Sequence, residues 1–583
     1  MVVRTPNFQS IVATILTAAM ITFSGPAPAA DTIPELGNSA IGNYLAGRFA
    51  QSRRDMSAAA DFLNAALEEA PEAPDLLRRT FLLMIMEGRM EDALPLAREL
   101  LEKNPARPIA NLVVVVEEMK QGNYKKLDEH AEQLDKSGLN AFTMPVMRAW
   151  ALAGRKEYDD ALTALSPLKG AEGSESLHDL HLAMINDIAG RRDEALKSYE
   201  TMAAANGTQT LRLTQLLGNL YERLGKKDKA RAVYDNYSAD HPAAHLFKSA
   251  YRRLDRGRKP EPIVRVAAEG AAEALFGLAS SLSQQRVRDT ATVLGQLALY
   301  LKPNFPIMMI LAGDLLEADE RLEKANEYYS AIDKSSGFSW SARLRVAGNL
   351  NQLDRTDEAV STLKTMAKES PENPQPLIRL GDILRNHERF DEAISAYDDA
   401  IQRIGDLEPR HWTLLYTRGM VLERAKAWSR AESDLLRALE FEPDQPHVLN
   451  YLGYSWIEQG VHLEKAQEMI RTAVKLRPND GYIVDSLGWG YYRVGNYDDA
   501  VKELERAVEL RPEDPVINDH LGDAYWRVGR NLEATFQWKR SLSLDPEPDL
   551  IETIQKKLKD GLTDEEASVP AVNQPENASA TAN

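Results

Sequence analysis

One pattern of small and bulky residues recurs about every 34 residues in this 583-residue chain and constrains its fold more than any other feature. The clearest copies begin at Leu449, Val484 and Asn518, and each has a leucine-glycine pair, an aromatic residue, an alanine and a proline in that order. Fourteen successive copies can be aligned, and all but one have alanine about twelve positions after the small residue; the exception is Leu127. Chance does not produce such regular alanines, so the chain is an internal repeat.

The spacing of the small residues indicates two antiparallel helices in each copy. Backbones of crossing helices approach closely only where the side chains are small, and Gly453 and Ala466 mark one such crossing. The closing proline, for example Pro478, ends the second helix. Each helix pair leaves an apolar face that the next pair covers, so the copies are predicted to stack into a solenoid.

The pattern resembles the signature of the tetratricopeptide repeat (TPR), W-x2-L-G-x2-Y…A-x3-F…P. The resemblance covers roughly residues 40–548 and implies an all-α, right-handed superhelical solenoid of about fourteen TPR helix-turn-helix units. Between two copies lies a surplus that contains Gly257, Pro260 and Pro262, which indicates either a degenerate half-repeat or a hinge. The expected parts are a signal peptide (1–30), an N-terminal TPR array (31–244), an irregular segment or degenerate half-repeat (245–269), a C-terminal TPR array (270–548), a capping helix (549–562) and a disordered acidic tail (563–583).

The capping helix is expected to cover the apolar end of the last repeat with one face and to meet solvent with the other. Its apolar side chains are predicted on one face and its lysines on the opposite one. The apolar set is Leu550, Ile551, Ile554 and Leu558, and the lysines are Lys556, Lys557 and Lys559.

The first thirty residues have the form of an export signal, with Arg4, an apolar stretch at 11–23 and the small residues Ala27-Pro28-Ala29. We expect a cleaved signal and a periplasmic protein, the alternative being an uncleaved N-terminal anchor. The sequence has no cysteine, so a lipid-attachment cysteine is not predicted. A formal net charge of −18 argues against nucleic acid as a partner.

No familiar catalytic or nucleotide-binding motif occurs in the sequence. The one close histidine pair, His178 and His181, lacks a third ligand and is interpreted as solvated helix residues. Acid pairs such as Asp498-Asp499 recur at helix starts, where the helix dipole favours them. We therefore expect no enzyme activity, no metal, no cofactor and no catalytic residue.

A partner-binding surface is predicted on the first helix of each C-terminal repeat, away from the glycine and alanine crossing. Aromatic side chains alternate there with Arg, Asp and Asn, a composition typical of peptide grooves. The alternative is that several of the rings pack between repeats. The predicted partner-binding residues are Tyr416, Met420, Arg424, Asn450, Tyr454, Asp485, Trp489, Tyr492, Arg493, Asp519, Asp523, Trp526 and Arg527.

Two further features bear on the partner. In the N-terminal repeats the equivalent positions are apolar and indicate either an apolar surface or internal packing; they include Leu82, Leu112, Val116, Val146 and Met184. In the C-terminal repeats Asp485 and Asp519 occupy the position where a clamp for a terminal carboxylate needs a base. An internal or basic peptide segment is therefore the favoured ligand.

Residues 448–456, 481–489 and 517–526 resemble a narrower group of exported proteobacterial TPR proteins. One member of that group is a lipoprotein adaptor that helps a carboxyl-terminal processing protease degrade peptidoglycan hydrolases; this chain differs from it in having no cysteine. The resemblance implies a non-enzymatic periplasmic scaffold that presents cell-wall hydrolases to such a protease. The alternative is an assembly or chaperone factor for outer-membrane or polysaccharide-export machinery.

Overall fold

The computed structural model describes residues 36–170, 173–205, 210–241 and 245–562, and all regular structure within those ranges is helical. Thirty α-helices and three short 3-10 helices are present there, which confirms the predicted all-α fold of TPR helix pairs. The signal peptide (1–30) and the acidic tail (563–583) lie outside the described residues. The chain divides into two compact units after Leu353.

Unit 1 contains helices α1 to α18, most of them in consecutive pairs, with α13 and α18 as single helices. The bounds are α1 Ala40–Ser52, α2 Met56–Glu69, α3 Pro74–Met86, α4 Met90–Lys103, α5 Pro108–Gln121, α6 Tyr124–Gln133, α7 Gly138–Gly154, α8 Tyr158–Ala164, α9 Glu175–Ile188, α10 Arg192–Ala205, α11 Leu211–Leu224, α12 Lys227–Asp240, α13 Lys248–Asp255, α14 Ala267–Gln284, α15 Arg288–Leu301, α16 Pro306–Ala318, α17 Leu322–Ser330 and α18 Ser339–Gln352. Short 3-10 turns cover Ser166–Leu168 and His245–Phe247.

Unit 2 contains α19 to α30, with a 3-10 turn at Pro409–His411. In each pair the first helix is called helix A and the second helix B. The bounds are α19 Thr356–Glu369, α20 Gln375–Asn386, α21 Phe390–Ile404, α22 Trp412–Arg424, α23 Trp428–Phe441, α24 Pro446–Gln459, α25 Leu463–Leu476, α26 Gly481–Arg493, α27 Tyr497–Leu510, α28 Pro515–Arg527, α29 Asn531–Leu542 and α30 Pro548–Asp560.

Glycine on helix A allows the two helices of a pair to touch. A Cβ atom at position 381 would lie 2.5 Å from the ring of Tyr397, and one at position 522 would lie 2.5 Å from the indole of Trp538. Both rings are fully buried. The small residue therefore creates the space that a large side chain of helix B fills, which is the physical basis of the repeat pattern.

The segment 245–269 holds the single helix α13 and then a non-helical stretch that continues to Val266. Pro260 and Pro262 lie in that stretch, where they cannot donate backbone hydrogen bonds to a helix. The boundary between the two units falls at Leu353, well beyond this segment. Helices α14 to α18 thus belong to the same compact unit as the N-terminal repeats.

Helices α14 and α15 pack back against the A helices of the N-terminal repeats. α14 contacts α5, α7 and α9, and α15 contacts α3 and α5. The ammonium of Lys120 donates to the carbonyl of Tyr300 (2.7 Å), and the hydroxyl of Tyr300 donates to Glu117 (2.7 Å). The A-helix side of the N-terminal repeats is therefore covered in part by the unit's own chain.

The apolar positions of the N-terminal repeats are consistent in sequence with either an apolar surface or internal packing, and the structure decides between the two. Leu112, Val116, Val146 and Met184 are buried in a single hydrophobic core, and Leu82 is half-buried against it. They are internally packed and do not form an apolar surface for a partner.

Candidate peptide-binding surface

Seven of the predicted partner-binding residues remain accessible on three consecutive A helices of unit 2. Spacing of four along α22, α24 and α26 places them on one face of each helix. All are half-buried except Arg424, which is exposed. We call this set the open surface: Tyr416, Met420, Arg424, Asn450, Tyr454, Trp489 and Arg493.

Contacts between neighbouring helices hold the open surface in place. The ring of Tyr416 meets that of Tyr451 edge to face, with centroids 6.1 Å apart, and the hydroxyl of Tyr451 donates to Glu423 (3.0 Å). Burial raises the pKa values of Tyr416 and Tyr454, so both hydroxyls stay protonated. The Oδ1 atom of Asn450 is buried and has no hydrogen-bond partner among the described residues.

Glu458 joins two of these helices, although the sequence analysis did not identify it. Its carboxylate accepts a hydrogen bond from the indole nitrogen of Trp489 (2.7 Å). It also forms an ion pair with the guanidinium of Arg493 (2.7 Å). The sequence does contain a signal for Glu458, because this residue lies four positions after Tyr454 and therefore on the same helix face.

Trp489 also lies in a stack of three rings. Its centroid is 4.7 Å from that of Tyr492 and 4.1 Å from that of His520, with nearly parallel planes. His520 is buried, and its Nδ1 donates to Asp485 (2.9 Å). Burial alone would lower the pKa of His520, but the carboxylates of Asp485, Asp519 and Asp523 outweigh it and raise that pKa.

The capping helix α30 covers the acidic residues of the last repeat, which corrects two predictions. Lys557, expected on the solvent face, is buried and donates to Asp519 (2.7 Å) and Asp523 (2.8 Å). It lies three residues after the fully buried Ile554 and so shares its face. Asp519 and Asp523, expected to face a partner, instead form this intramolecular contact and are buried by it.

Burial and the neighbouring charges together set the pKa values of Asp523 and Lys557 in this contact. Burial and the neighbouring carboxylate of Asp519 raise the pKa of Asp523 to about 6. Burial would lower the pKa of Lys557, but the two carboxylates outweigh it and the pKa is raised. The indole nitrogen of Trp538 adds a hydrogen bond to Asp523 (2.9 Å).

Intramolecular contacts also occupy the remaining predicted residues. Gly561, just after α30, lies against Trp526: a Cβ atom there would be 2.3 Å from the indole. Arg527 donates to the hydroxyl of the buried Tyr492 (3.4 Å). The prediction of an accessible surface is therefore corrected for Asp485, Tyr492, Asp519 and Asp523, which are buried under α30 and in the ring stack. Trp526 and Arg527 remain half-buried, and for them the prediction stays open.

The histidine pair of unit 1 is not solvated, contrary to the sequence-based interpretation. His178 and His181 are buried, and Nδ1 of His181 accepts a hydrogen bond from the indole of Trp150 (3.0 Å). Burial lowers the pKa of His181 to about 3, so the ring is neutral. Within the described ranges, no group of three or more His, Cys, Asp or Glu side chains is placed to hold a metal ion.

Comparisons with known proteins agree with this architecture. The family model of the "tetratricopeptide repeat" matches residues 215–244, that of the "tetratricopeptide repeat-like domain" residues 307–415, and that of the "TPR repeat" residues 490–529. The three matched segments are tetratricopeptide repeats, and the fold is that of a helical-repeat scaffold for protein–protein interaction.

The chain is similar to parts of several proteins. It is 31% identical over 195 residues to the TPR repeat-containing protein PA4667 of Pseudomonas aeruginosa, a match that covers 33% of this chain and 32% of that protein. The tetratricopeptide repeat-containing protein trd-1 of Caenorhabditis elegans is 25% identical over 45% of this chain and 30% of its own length. The chain thus spans about a third of the length of these curated relatives.

Among solved structures, the Cut9–Hcn1 hetero-tetramer of APC/C aligns over 94% of this chain and 99% of its own, with 15% identity and a TM-score of 0.36. YrrB, described as a TPR protein with an unusual peptide-binding site, aligns over 33% of this chain and 97% of its own, with 18% identity and a TM-score of 0.27. No helix among the described residues is both long and apolar enough to cross a membrane.

Proposed function

We propose that this chain is a non-enzymatic adaptor that binds an internal peptide segment of a protein partner on the open surface. The observation that carries the proposal is the composition of that surface. Tyr416, Tyr454 and Trp489 supply apolar area with a polar edge, while Arg424 and Arg493 supply charge. Such residues dominate the binding energy of protein interfaces.

The polar groups of the open surface favour an extended peptide backbone. The side chain of Asn450 is half-buried on this surface, and its amide group can form hydrogen bonds with the backbone of a bound peptide. The Glu458 carboxylate holds Trp489 and Arg493 in fixed positions before binding, which lowers the entropy lost on association.

Unit 2 is the part proposed to bind because later helices of unit 1 already cover the A helices of its N-terminal repeats. Helices α14 and α15 occupy the A-helix side of the N-terminal repeats, and the apolar residues there are buried. A partner that used the same side would have to displace this packing.

A non-enzymatic role agrees with the fact that almost all helices of the described chain belong to repeats. Apart from α13 and the capping helix, its α-helices follow the repeat pattern, and no separate folded domain remains among them to hold a catalytic site. Proteins of this architecture act by bringing partners together.

The proposed location is the periplasm, and the proposed partners are a carboxyl-terminal processing protease and the cell-wall hydrolases that it degrades. The export-signal pattern of residues 1–30 supports the location. The resemblance of residues 448–456, 481–489 and 517–526 to exported TPR adaptors supports the partners.

A crosslinked pull-down from the native cell envelope tests the proposal. The tagged chain is compared with Tyr454→Ala/Arg493→Ala and with a control, Lys502→Ala, whose side chain is exposed on helix B of the same unit. We expect wild type and control to capture a carboxyl-terminal processing protease with peptidoglycan hydrolases, and the double variant to lose them. Capture of outer-membrane assembly or polysaccharide-export proteins without a protease would contradict the proposed partners. Equal capture by all three chains would contradict the proposed surface.

A further inference from the structure

The last repeat contains a cluster of buried acids next to the open surface, and the capping helix α30 covers it. Asp485 lies one turn before Trp489 on α26, and Asp519 and Asp523 lie one turn apart on α28. The stack of Trp489 on His520 connects these acids to the open surface. At the equivalent positions α22 carries Tyr416 and Met420, and α24 carries Asn450 and Tyr454.

The capping helix leaves one carboxylate oxygen of these acids, on Asp519, without a hydrogen-bond donor. Lys557 donates to one oxygen of Asp519 and one of Asp523. The other oxygen of Asp519, Oδ1, is buried and has no hydrogen-bond partner among the described residues, and Asp519 as a whole is only 4% exposed. A buried acceptor without a donor costs free energy, so the site favours a ligand with more donors than an ammonium group.

Arginine has the additional hydrogen-bond donors that this site lacks. A guanidinium presents five N–H donors in a planar fork, which matches two neighbouring carboxylates better than the compact ammonium of lysine does. An arginine in place of Lys557 has enough N–H donors for both oxygens of Asp519 and for Asp523.

The capping helix buries few of its own side chains, although Leu550 and Leu558 pack partly against the core of the last repeat. Of its thirteen residues only Ile554 and Lys557 are buried, and no side chain caps its N-terminus. Its residues Thr553, Gln555 and Lys559 are exposed. A helix with so small a buried face opens at low cost in free energy.

We propose that α30 acts as an internal stand-in for a partner helix that carries an arginine, and that such a helix displaces α30 from the acids of the last repeat. Lys557 occupies the position of that arginine in the free chain. This inference rests on the proposed adaptor function for its biological role, but the site itself can be tested with a defined peptide and without any native partner.

The test measures binding of a labelled peptide with the sequence of residues 548–562 in which the lysine of position 557 is replaced by arginine. Fluorescence anisotropy compares the full-length wild type, Lys557→Gln, and the matched control Lys559→Gln, which removes the same charge from an exposed position. We expect Lys557→Gln to bind the peptide at least tenfold more tightly than wild type, and Lys559→Gln to match wild type. Adding Asp519→Asn and Asp523→Asn to Lys557→Gln should abolish the gain.

Hydrogen exchange on the wild-type chain provides a second measurement that needs no variant to fold. Saturating peptide should increase exchange in residues 548–560 and decrease it in α28. Unchanged exchange in α30, equal affinity for wild type and Lys557→Gln, or a gain that survives loss of both aspartates would overturn the inference. None of these results bears on capture of native partners at the open surface, so the two proposals fail separately.

Discussion

Gly270 of α14 lies directly against the indole of Trp150 on α7. A Cβ atom at position 270 would be 2.3 Å from the ring atom Cε2, and Trp150 is fully buried. The two helices are far apart in sequence, so this contact brings a later part of unit 1 onto its N-terminal repeats. The accessible binding surface of the protein is therefore expected in unit 2.

Gly270→Ala tests how tightly α14 is packed. The added methyl group must displace Trp150 or α14, and overpacking of this kind costs about 1–3 kcal/mol. The matched control is Gly277→Ala on the same helix, where no atom lies within 4 Å of the added Cβ. Alanine is the better helix former by about 1 kcal/mol, so the control should stabilise the protein. Denaturant unfolding checks both, and equal effects of the two substitutions would contradict the packing.

Glu273→Ala tests the ionic attachment of α14. Glu273 is buried and accepts hydrogen bonds from Arg212 of α11 (2.8 Å) and Lys302 (3.0 Å). Burial would raise the pKa of Glu273, but the two cations outweigh it and hold the pKa below its usual value.

Removing one member of a buried pair costs about 3–5 kcal/mol, because the other charges stay buried without a partner. The control Glu320→Ala removes an exposed ion pair with Arg54, which solvent screens, and should change the free energy of unfolding far less. Similar losses in the two variants, measured by urea unfolding, would show that the Glu273 network is not buried in solution.

Arg493→Ala tests the open surface with little disturbance of the fold. Arg493 pairs with Glu458, and the Glu458 side chain is partly exposed, so the loss of stability should be about 1 kcal/mol or less. Affinity for the captured partner should fall about tenfold, as expected for an interface arginine. Substitution of Trp489 is less suitable, because its ring also supports Tyr492 and His520. A large drop in melting temperature with unchanged affinity per folded molecule would place Arg493 in a structural role.

The last repeat should become less stable as the pH rises. The pKa of Asp523, about 6, is higher in the folded protein than in the unfolded chain, so folding favours its protonated form and this stabilisation decreases between about pH 4 and pH 6. The pKa of His520 is also raised, and its contribution is present below about pH 6.5 and is lost as the pH passes its folded value.

Hydrogen exchange of α30, corrected for the intrinsic pH dependence, measures this effect. Protection should be greater at pH 5 than at pH 8, and Asp523→Asn should reduce the difference. Protection that is constant or that increases toward pH 8 would contradict the assigned pKa directions.

The helix pairs could be predicted from the sequence because their cause is local. A small residue on helix A must face the large side chain of helix B, as Gly381 faces Tyr397, and this requirement recurs in register. Any register that misplaced the glycine would produce a clash. The period therefore records the packing directly.

The contacts that cover parts of the chain could not be predicted in the same way. Lysine usually lies in solvent, and although the spacing from Ile554 places Lys557 on the buried face, only the three-dimensional structure shows that Asp519 and Asp523 accept its hydrogen bonds. The need for glycine at position 270 likewise comes from its contact with Trp150, which is distant in sequence. Such contacts depend on which surfaces meet, and the repeat period does not carry that information.

Site-specific photo-crosslinking in the native envelope tests the central claim most directly. A photoreactive phenylalanine analogue is placed at Tyr454 on the open surface and, as the control, at Lys502 on helix B. We predict that the probe at position 454 crosslinks a carboxyl-terminal processing protease or its hydrolase substrates, and that the probe at 502 does not. Crosslinks from position 502 to those proteins, with none from position 454, would contradict the assignment of the open surface as the site where partners bind.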